Sequence, residues 1–528
     1  MSERVFIYDT TLRDGMQREG LSLSVGEQLA LALRLAEYGV DYLEAGFPAS
    51  NPKYGELFQR LEHEDLGATR LAAFGMTRRR DTAAADDPAL RGLAECSAPV
   101  ITIVGKTWDL HIERITRVSR EENLRMIEES VAFLVGEGKE VVYDAEHFFD
   151  AYGAHPDYAL ECLRAAEAGG AAWVTPCDTN GATLPGRVCD VIRAVRAALP
   201  DVRIGIHTHN DAECAVANSL AAVDEGARMV QGTINGYGER CGNANLVSII
   251  PSLALKMGYE VLDEQRLSEL TALSHFVAET VNLPPDAWAP YVGRNAFGHK
   301  GGMHVAAINI DRRSYEHVDP AKVGNHTSVH VSELSGRGTI LAKAQELGID
   351  IDDPARVAAI LARLKELEHD GFHFEVADGS FELLLERETG AYRPLFVLES
   401  FRVITEKRAD GRVETEATVK VIHRGERLVA TAEGNGPVNA LDSALRGALG
   451  PRVPELTQIS LVNFKVRILD ETKGTGAVVR VLLESSDGRD SWGTIGVSEN
   501  IIEASWEALV DSLEHGVRRV ARAHGTTA

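Results

Sequence analysis

From Val5 to about Gly258 the chain alternates a short apolar run with an amphipathic stretch, and it does so eight times. The apolar runs begin near Val5, Val40, Arg70, Val100, Glu140, Ala172, Arg203 and Met229. Between them, stretches such as Gly26 to Tyr38 and Glu121 to Val135 carry helical spacing. Ser24 with Glu27, and Ser119 with Glu122, have the spacing of capping boxes just before two of these helices. Eight strand–helix units of this total length predict an α/β fold, a (β/α)8 TIM barrel, whose chemistry gathers after the carboxyl ends of the strands.

The polar motifs fall at those ends. Asp14 follows the first run, Glu44 ends the second and Glu146 the fifth, Asp178 and Thr179 close the sixth, His207 and His209 the seventh, and Asn235 to Asn243 the eighth. His207 and His209, one residue apart, project from the same face of a strand terminus. A lone Asp or His at a strand end is ordinarily a hydrogen-bonding residue, but four donors meeting at one end of a closed barrel have a different meaning. One carboxylate, two neutral imidazoles and an amide oxygen suit a divalent cation and leave positions open for a bidentate 2-oxo acid. The candidate ligands are Asp14, His207, His209 and Asn243, and Zn, Mn, Mg and Co are all compatible with them.

Arg13 beside Asp14 reads either as an ion pair at the barrel mouth or as the guanidinium that stabilises an alkoxide developing on the substrate. Glu146, in Tyr143-Asp144-Ala145-Glu146-His147, could cap a helix, orient Arg13, or take a proton from a thioester methyl. Thr179 reads as an N-cap or as a hydrogen-bond donor to a substrate carboxylate. Lys106 and Trp108, after strand four, read as surface and packing residues, and the glycines of Gly238 to Asn245 as a loop allowing close backbone approach to a ligand.

A chain of 528 residues implies two or three units. The barrel takes 1–260, a helical linker with the Gly/His-rich stretch Gly298 to His304 takes 261–370, and an α+β domain takes 371–528. Within that last domain, strand-like runs Glu414 to Ile422 and Ala477 to Leu483 each lead through a second strand into a helix, Val438 to Leu449 and Ile501 to His515, so two loosely similar units are expected. Their glycine-to-helix junctions could present backbone N–H groups to a small carboxylate. The formal charge of −24, without a cationic cluster, excludes a nucleic-acid partner. No apolar run approaches a membrane span or a signal-peptide core, so a cytoplasmic enzyme is expected. Six cysteines without a C-x-x-C pair are expected as reduced thiols.

Asp9-Thr10-Thr11-Leu12-Arg13-Asp14-Gly15, His207-Thr208-His209-Asn210-Asp211 and Gly238-Glu239-Arg240-Cys241-Gly242-Asn243 closely resemble the 2-isopropylmalate/citramalate/homocitrate synthase family. Gly302-Met303-His304, Tyr315 to Pro320 and Gly434 to Leu441 look like that family's subdomain loops and C-terminal effector-binding domain, so the resemblance covers nearly the whole chain. It implies a metal-dependent Claisen-type condensation of acetyl-CoA with a 2-oxo acid, followed by thioester hydrolysis. By motif, Asp14, His207, His209 and Asn243 correspond to metal positions, Arg13 and Glu146 to a catalytic pair, and Thr179 to carboxylate binding. His304 and Tyr315 match catalytic residues that reach the partner subunit's active site, which implies a homodimer, and the C-terminal domain implies a branched-chain amino-acid effector, isoleucine or leucine. Gly46 to Lys53, Phe74 to Arg79 and Gly105 to His111 look most like the long bacterial citramalate synthases, which use pyruvate, whereas Met16 departs from the Glu usual in isopropylmalate synthases. Metal-dependent lyases and carboxyltransferases share the first motif but not the C-terminal domain, and an amino-acid sensor without turnover would not need the metal and Arg-Asp motifs.

Overall fold

The computed structural model describes residues 3–48, 50–329, 337–346, 349, 351, 353–469, 474 and 476–523. It forms two compact units, Met1–Phe297 with Glu316–Thr327, and Gly298–Tyr315 with Ser328–Ala528. The stretch expected as one linker, 261–370, is thus divided between them, because 316–327 returns to the first unit and packs Val323 into its core.

In the first unit eight parallel strands close into a barrel: β1 (Phe6–Asp9), β2 (Tyr42–Glu44), β3 (Arg70–Met76), β4 (Val100–Lys106), β5 (Glu140–Glu146), β6 (Trp173–Asp178), β7 (Gly205–Thr208) and β8 (Met229–Gly232). All eight begin within two residues of the positions expected from sequence. β1 pairs with both β2 and β8, so the first and last strands are neighbours and the chain's Arg-Asp and His motifs come within reach of each other. Helix Val25–Tyr38 has the full capping box, with Ser24 accepting from Glu27 N–H and the Glu27 carboxylate accepting in return. Helix Arg120–Gly136 has half of it: Ser119 accepts from Glu122 N–H, but the Glu122 carboxylate turns to Arg78 and Arg125 instead.

Side chains alternate between lumen and helix layer along each strand. The base of the lumen is filled by Tyr8, Tyr42, Ala72, Val100, Val142, Trp173 and Met229, a plug separate from the larger core between strands and helices. Counting by twos from these residues, and on β7 from Gly205, whose Cβ position faces Met229 and Thr175, Thr10, Glu44, Phe74, Lys106, Asp144, Glu146, Thr179, His207, His209 and Gln231 share the lumenal face above the plug. The apolar base and polar rim therefore follow from one periodicity.

The second unit holds two three-stranded antiparallel sheets, Val397–Lys407, Val413–His423, Glu426–Gly434 and Ser460–Ile468, Val479–Ser486, Ser491–Ser498. Each is followed by or packed on a helix, Pro437–Leu449 and Ile501–Ala523 respectively, as the sequence repeat implied. Ala417, Val419 and Val421 pack with Leu441 and Leu445 in a core that also takes in Val481, Trp492 and Leu513. All six cysteines are free. Among the described residues, no helix is long and apolar enough to cross a membrane.

Candidate active site

Asp14, His207 and His209 converge at the barrel rim. His207 Nε2 lies 3.4 Å and His209 Nε2 3.6 Å from Asp14 Oδ2, and the two Nε2 atoms are 3.2 Å apart. Their other ring nitrogens fix the tautomers. His209 Nδ1 is 2.7 Å from the Thr179 carbonyl, which can only accept, and this shorter contact outweighs Arg240 Nη2 at 3.0 Å, which can only donate, so the proton is on Nδ1. His207 Nδ1 is 2.9 Å from Gln231 Oε1, and the same Gln231 donates its Nε2 to Asp144 at 2.8 Å, which turns the amide oxygen toward His207. Each imidazole then presents an Nε2 lone pair to the other and to a carboxylate oxygen. Three acceptors facing one another repel unless a proton or a metal cation lies among them.

The electrostatics agree. Burial would raise Asp14, but the Arg13 guanidinium and both imidazoles outweigh it and hold the carboxylate well below its usual range. Burial would lower His207, but Asp14 raises it, so the site draws in positive charge. Burial lifts Asp144 to about 6, with His207 opposing and Glu44 adding to the rise.

Asn243 supplies the fourth expected donor. It bridges to the His209 backbone, its Nδ2 donates to the Tyr237 carbonyl at 3.2 Å, and its buried Oδ1 has no hydrogen-bond partner among the described residues. An orphaned amide oxygen beside two oriented imidazoles fits a divalent cation. Gly238 permits this: with φ of +153°, a Cβ there would meet Asn243 Nδ2 at 2.2 Å.

Arg13 is held by Glu44. Its Nε donates to Glu44 Oε2 at 2.6 Å, its Nη1 lies 3.4 Å from Asp14 Oδ2, and its guanidinium sits 3.9 Å over the Phe74 ring. Glu44 also accepts from Tyr8 at 2.8 Å and Thr10 at 2.6 Å, so the buried carboxylate is fully hydrogen-bonded. The expectation that Glu146 could orient Arg13 is thereby corrected: Glu44, on the adjacent strand, does so. Sequence reading had placed Glu44 at a strand end without assigning it a partner. Glu146 pairs instead with Lys106, and the reading of Lys106 as a surface residue is corrected too. Trp108 does pack, beside the rings of His111 and His147.

Thr179 ties two parts of the rim together. Its carbonyl orients His209, and its Oγ1 accepts from His147 N–H at 2.8 Å, which leaves the hydroxyl proton available to donate. Arg240 donates to the same carbonyl at 2.8 Å and to Asp211 at 2.7 Å. Next to Glu146, His111 and His147 meet at 4.4 Å between ring centroids, and His111 is lowered by burial and by His147. The other two expected residues, His304 and Tyr315, lie in the second unit, their rings stacked at 4.1 Å. Sequence reasoning missed Gln231 and Asp144. The signal for Asp144 was its place two residues before Glu146 on one strand face.

Three stretches match family models: residues 4–277 the HMGL-like family, 291–371 the homocitrate synthase post-HMGL domain-like family, and 375–517 the LeuA allosteric (dimerisation) domain. An (R)-citramalate synthase of Aquifex aeolicus is 48% identical, with 97% of this chain and 98% of that protein covered. One of Geobacter sulfurreducens is 49% identical, with 99% of each covered. A probable 2-isopropylmalate synthase of Methanopyrus kandleri is more distant, at 34% identity with 99% of each covered.

Proposed function

Because the chain belongs to the HMGL-like family and, within it, to the family of its (R)-citramalate synthase relatives, we propose that it condenses acetyl-CoA with pyruvate and hydrolyses the thioester to (R)-citramalate and CoA, a step toward isoleucine. The observation that carries this reading is near-half identity to (R)-citramalate synthases along almost the entire length of both chains. A divalent ion held by Asp14, His207, His209 and Asn243 would supply Lewis-acid polarisation of the 2-oxo acid carbonyl.

The chain's own groups do the rest. Arg13, fixed by Glu44 and Phe74, offers guanidinium N–H groups to the carbonyl oxygen as it gains negative charge. The Thr179 hydroxyl donates to the pyruvate carboxylate. Glu146 takes a proton from the acetyl methyl, and the resulting enolate attacks the ketone carbon. In a homodimer built through residues 375–517, His304 and Tyr315 complete the partner subunit's site. The effector is a branched-chain amino acid, isoleucine by the logic of the product. A cavity of about 580 Å³, lined among others by Val438, Ile459, Leu461 and Phe464 with Asn439 and Arg446, has the mixed character such a ligand needs.

Thiol release from acetyl-CoA by the metal-loaded protein, with pyruvate, 2-oxoisovalerate or 2-oxoglutarate, tests the reading. Pyruvate is expected to give the highest kcat/KM, with (R)-citramalate as product. A higher kcat/KM for either larger 2-oxo acid would overturn it.

A further inference from the structure

Two ion pairs tie β5 to other strands at opposite ends of the barrel, Glu140 to Arg70 on β3 and Glu146 to Lys106 on the neighbouring β4, and they are built differently. At the strand starts, Glu140 has both oxygens engaged: Oε1 accepts from Tyr42 at 2.9 Å and Oε2 pairs with Arg70. At the strand ends, Glu146 pairs with Lys106 through Oε2 alone, and among the described residues its Oε1 takes no hydrogen bond. The first is a closed structural bridge. The second leaves a free carboxylate oxygen on the lumenal face.

The clamp is specific to the fold's register. Lys106 and Glu146 are direct partners in the β4–β5 ladder, and both side chains are mostly shielded, at 16% and 21% exposure. The Lys106 carbonyl accepts from Asn123 Nδ2 at 2.8 Å, which anchors the end of β4. His111 Nδ1 is 3.9 Å from Oε2, too long to compete for it. The residue after Glu146, His147, adopts a left-handed backbone with φ of +56° and donates its N–H to Thr179, so the end of β5 is tied to the expected carboxylate-binding residue. An isolated lysine in such a position would be costly; paired, it fixes the rotamer and charge of its partner.

We propose that Lys106 is a positioning residue for the condensation: its ammonium holds Glu146 Oε2 so that Oε1 is presented, ionised, to the acetyl methyl. The methyl C–H bond breaks, the proton forms an O–H bond on Oε1, and the C–H electron pair moves into the enolate of the thioester. Lys106 stays protonated throughout and touches no reacting atom. The proposal rests on the reading of Glu146 as the base.

The test is turnover of metal-loaded Lys106→Met, Lys106→Arg, Glu146→Gln and the Lys106→Met/Glu146→Gln double variant, with acetyl-CoA carrying either a normal or a trideuterated methyl. Lys106→Met is expected to lower kcat about 10- to 100-fold with the pyruvate KM nearly unchanged. Its deuterium isotope effect should rise as proton abstraction becomes slower than the other steps, and Lys106→Arg should restore most of the rate. In the Glu146→Gln background the Lys106 change should cost nothing further. Wild-type kcat and isotope effect in Lys106→Met, alongside an impaired Glu146→Gln, would overturn the positioning role alone. Wild-type behaviour of Glu146→Gln would overturn the reading of Glu146 itself. If Lys106→Met does not fold, Lys106→Gln, which keeps a polar group without the charge, is judged by the same criteria.

Discussion

Every strand of the barrel is hydrogen-bonded on both sides, whereas Val397–Lys407 and Ser460–Ile468 each end a three-stranded sheet and leave Val397, Ile404, Phe464 and Val466 open in the single chain. The barrel satisfies its own backbone and hides its apolar base, so its polar rim can be devoted to ligands. The C-terminal sheets satisfy one face through their helices and leave apolar edge strands exposed among the described residues. The contrast separates two features: the barrel rim gathers the candidate cation ligands, and the C-terminal unit, with its open apolar edges, matches an allosteric (dimerisation) domain.

The largest effect should come from breaking assembly while leaving the barrel alone. Phe464→Glu with Val466→Glu is expected to give a monomer by sedimentation and to reduce turnover by roughly 10³-fold, the scale of losing acid–base groups contributed in trans. Metal content per chain should not change. A monomer with full turnover would break the assignment of His304 and Tyr315 to the partner subunit's site.

Next in size, Glu44→Gln strips Arg13 of its nearer charge partner inside the barrel. Turnover should fall ~10²-fold, and urea unfolding should show a loss of about 3 kcal/mol because the buried guanidinium keeps only its longer contact with Asp14. The dimer should persist in light scattering. Dissociation instead would mean that the two features are not separable.

Asp9 sharpens the barrel side of the contrast, since its burial beneath the rim lifts it to about 7, against the hydrogen bonds from Thr11. A carboxyl raised in the folded state binds its proton more tightly there than when unfolded, so its destabilising effect grows as pH rises from about 4 to about 7 and is constant above that. Asp9→Asn should therefore gain stability relative to the parent by ~2–3 kcal/mol between pH 4.5 and 7.5 in urea titrations. A pH-independent difference would contradict the raised value. The smallest effect is at Ser24→Ala, which removes one capping box on the outer helix layer: about 1 kcal/mol in the same titration, with kcat unchanged.

Much of this was legible before any coordinates. The eight strands were readable because an apolar run bounded by polar residues repeats at a steady interval, and the convergence of Asp14, His207 and His209 because each lies at or shortly after the end of such a run. Register between neighbouring strands was not. That Arg13 turns to Glu44, and Glu146 to Lys106, depends on the register between adjacent strands, which no local pattern encodes. Gln231 was hidden for a related reason: a polar residue in a short apolar strand shows its purpose only when its two partners, His207 and Asp144, arrive from other strands. The unit boundary was hidden because residues 316–327 leave the first unit in sequence and return to it in space.

The central claim is that three acceptors at the rim, with Asn243, hold one divalent cation per chain. Calorimetric titration of the metal-stripped protein with Mn2+, followed by elemental analysis after dialysis, tests it without reference to turnover. One ion per chain in the parent, and none in His207→Ala of unchanged dimer mass, is the predicted result. An ion retained at full stoichiometry in both His207→Ala and Asp14→Ala, or no ion in the parent, would contradict it.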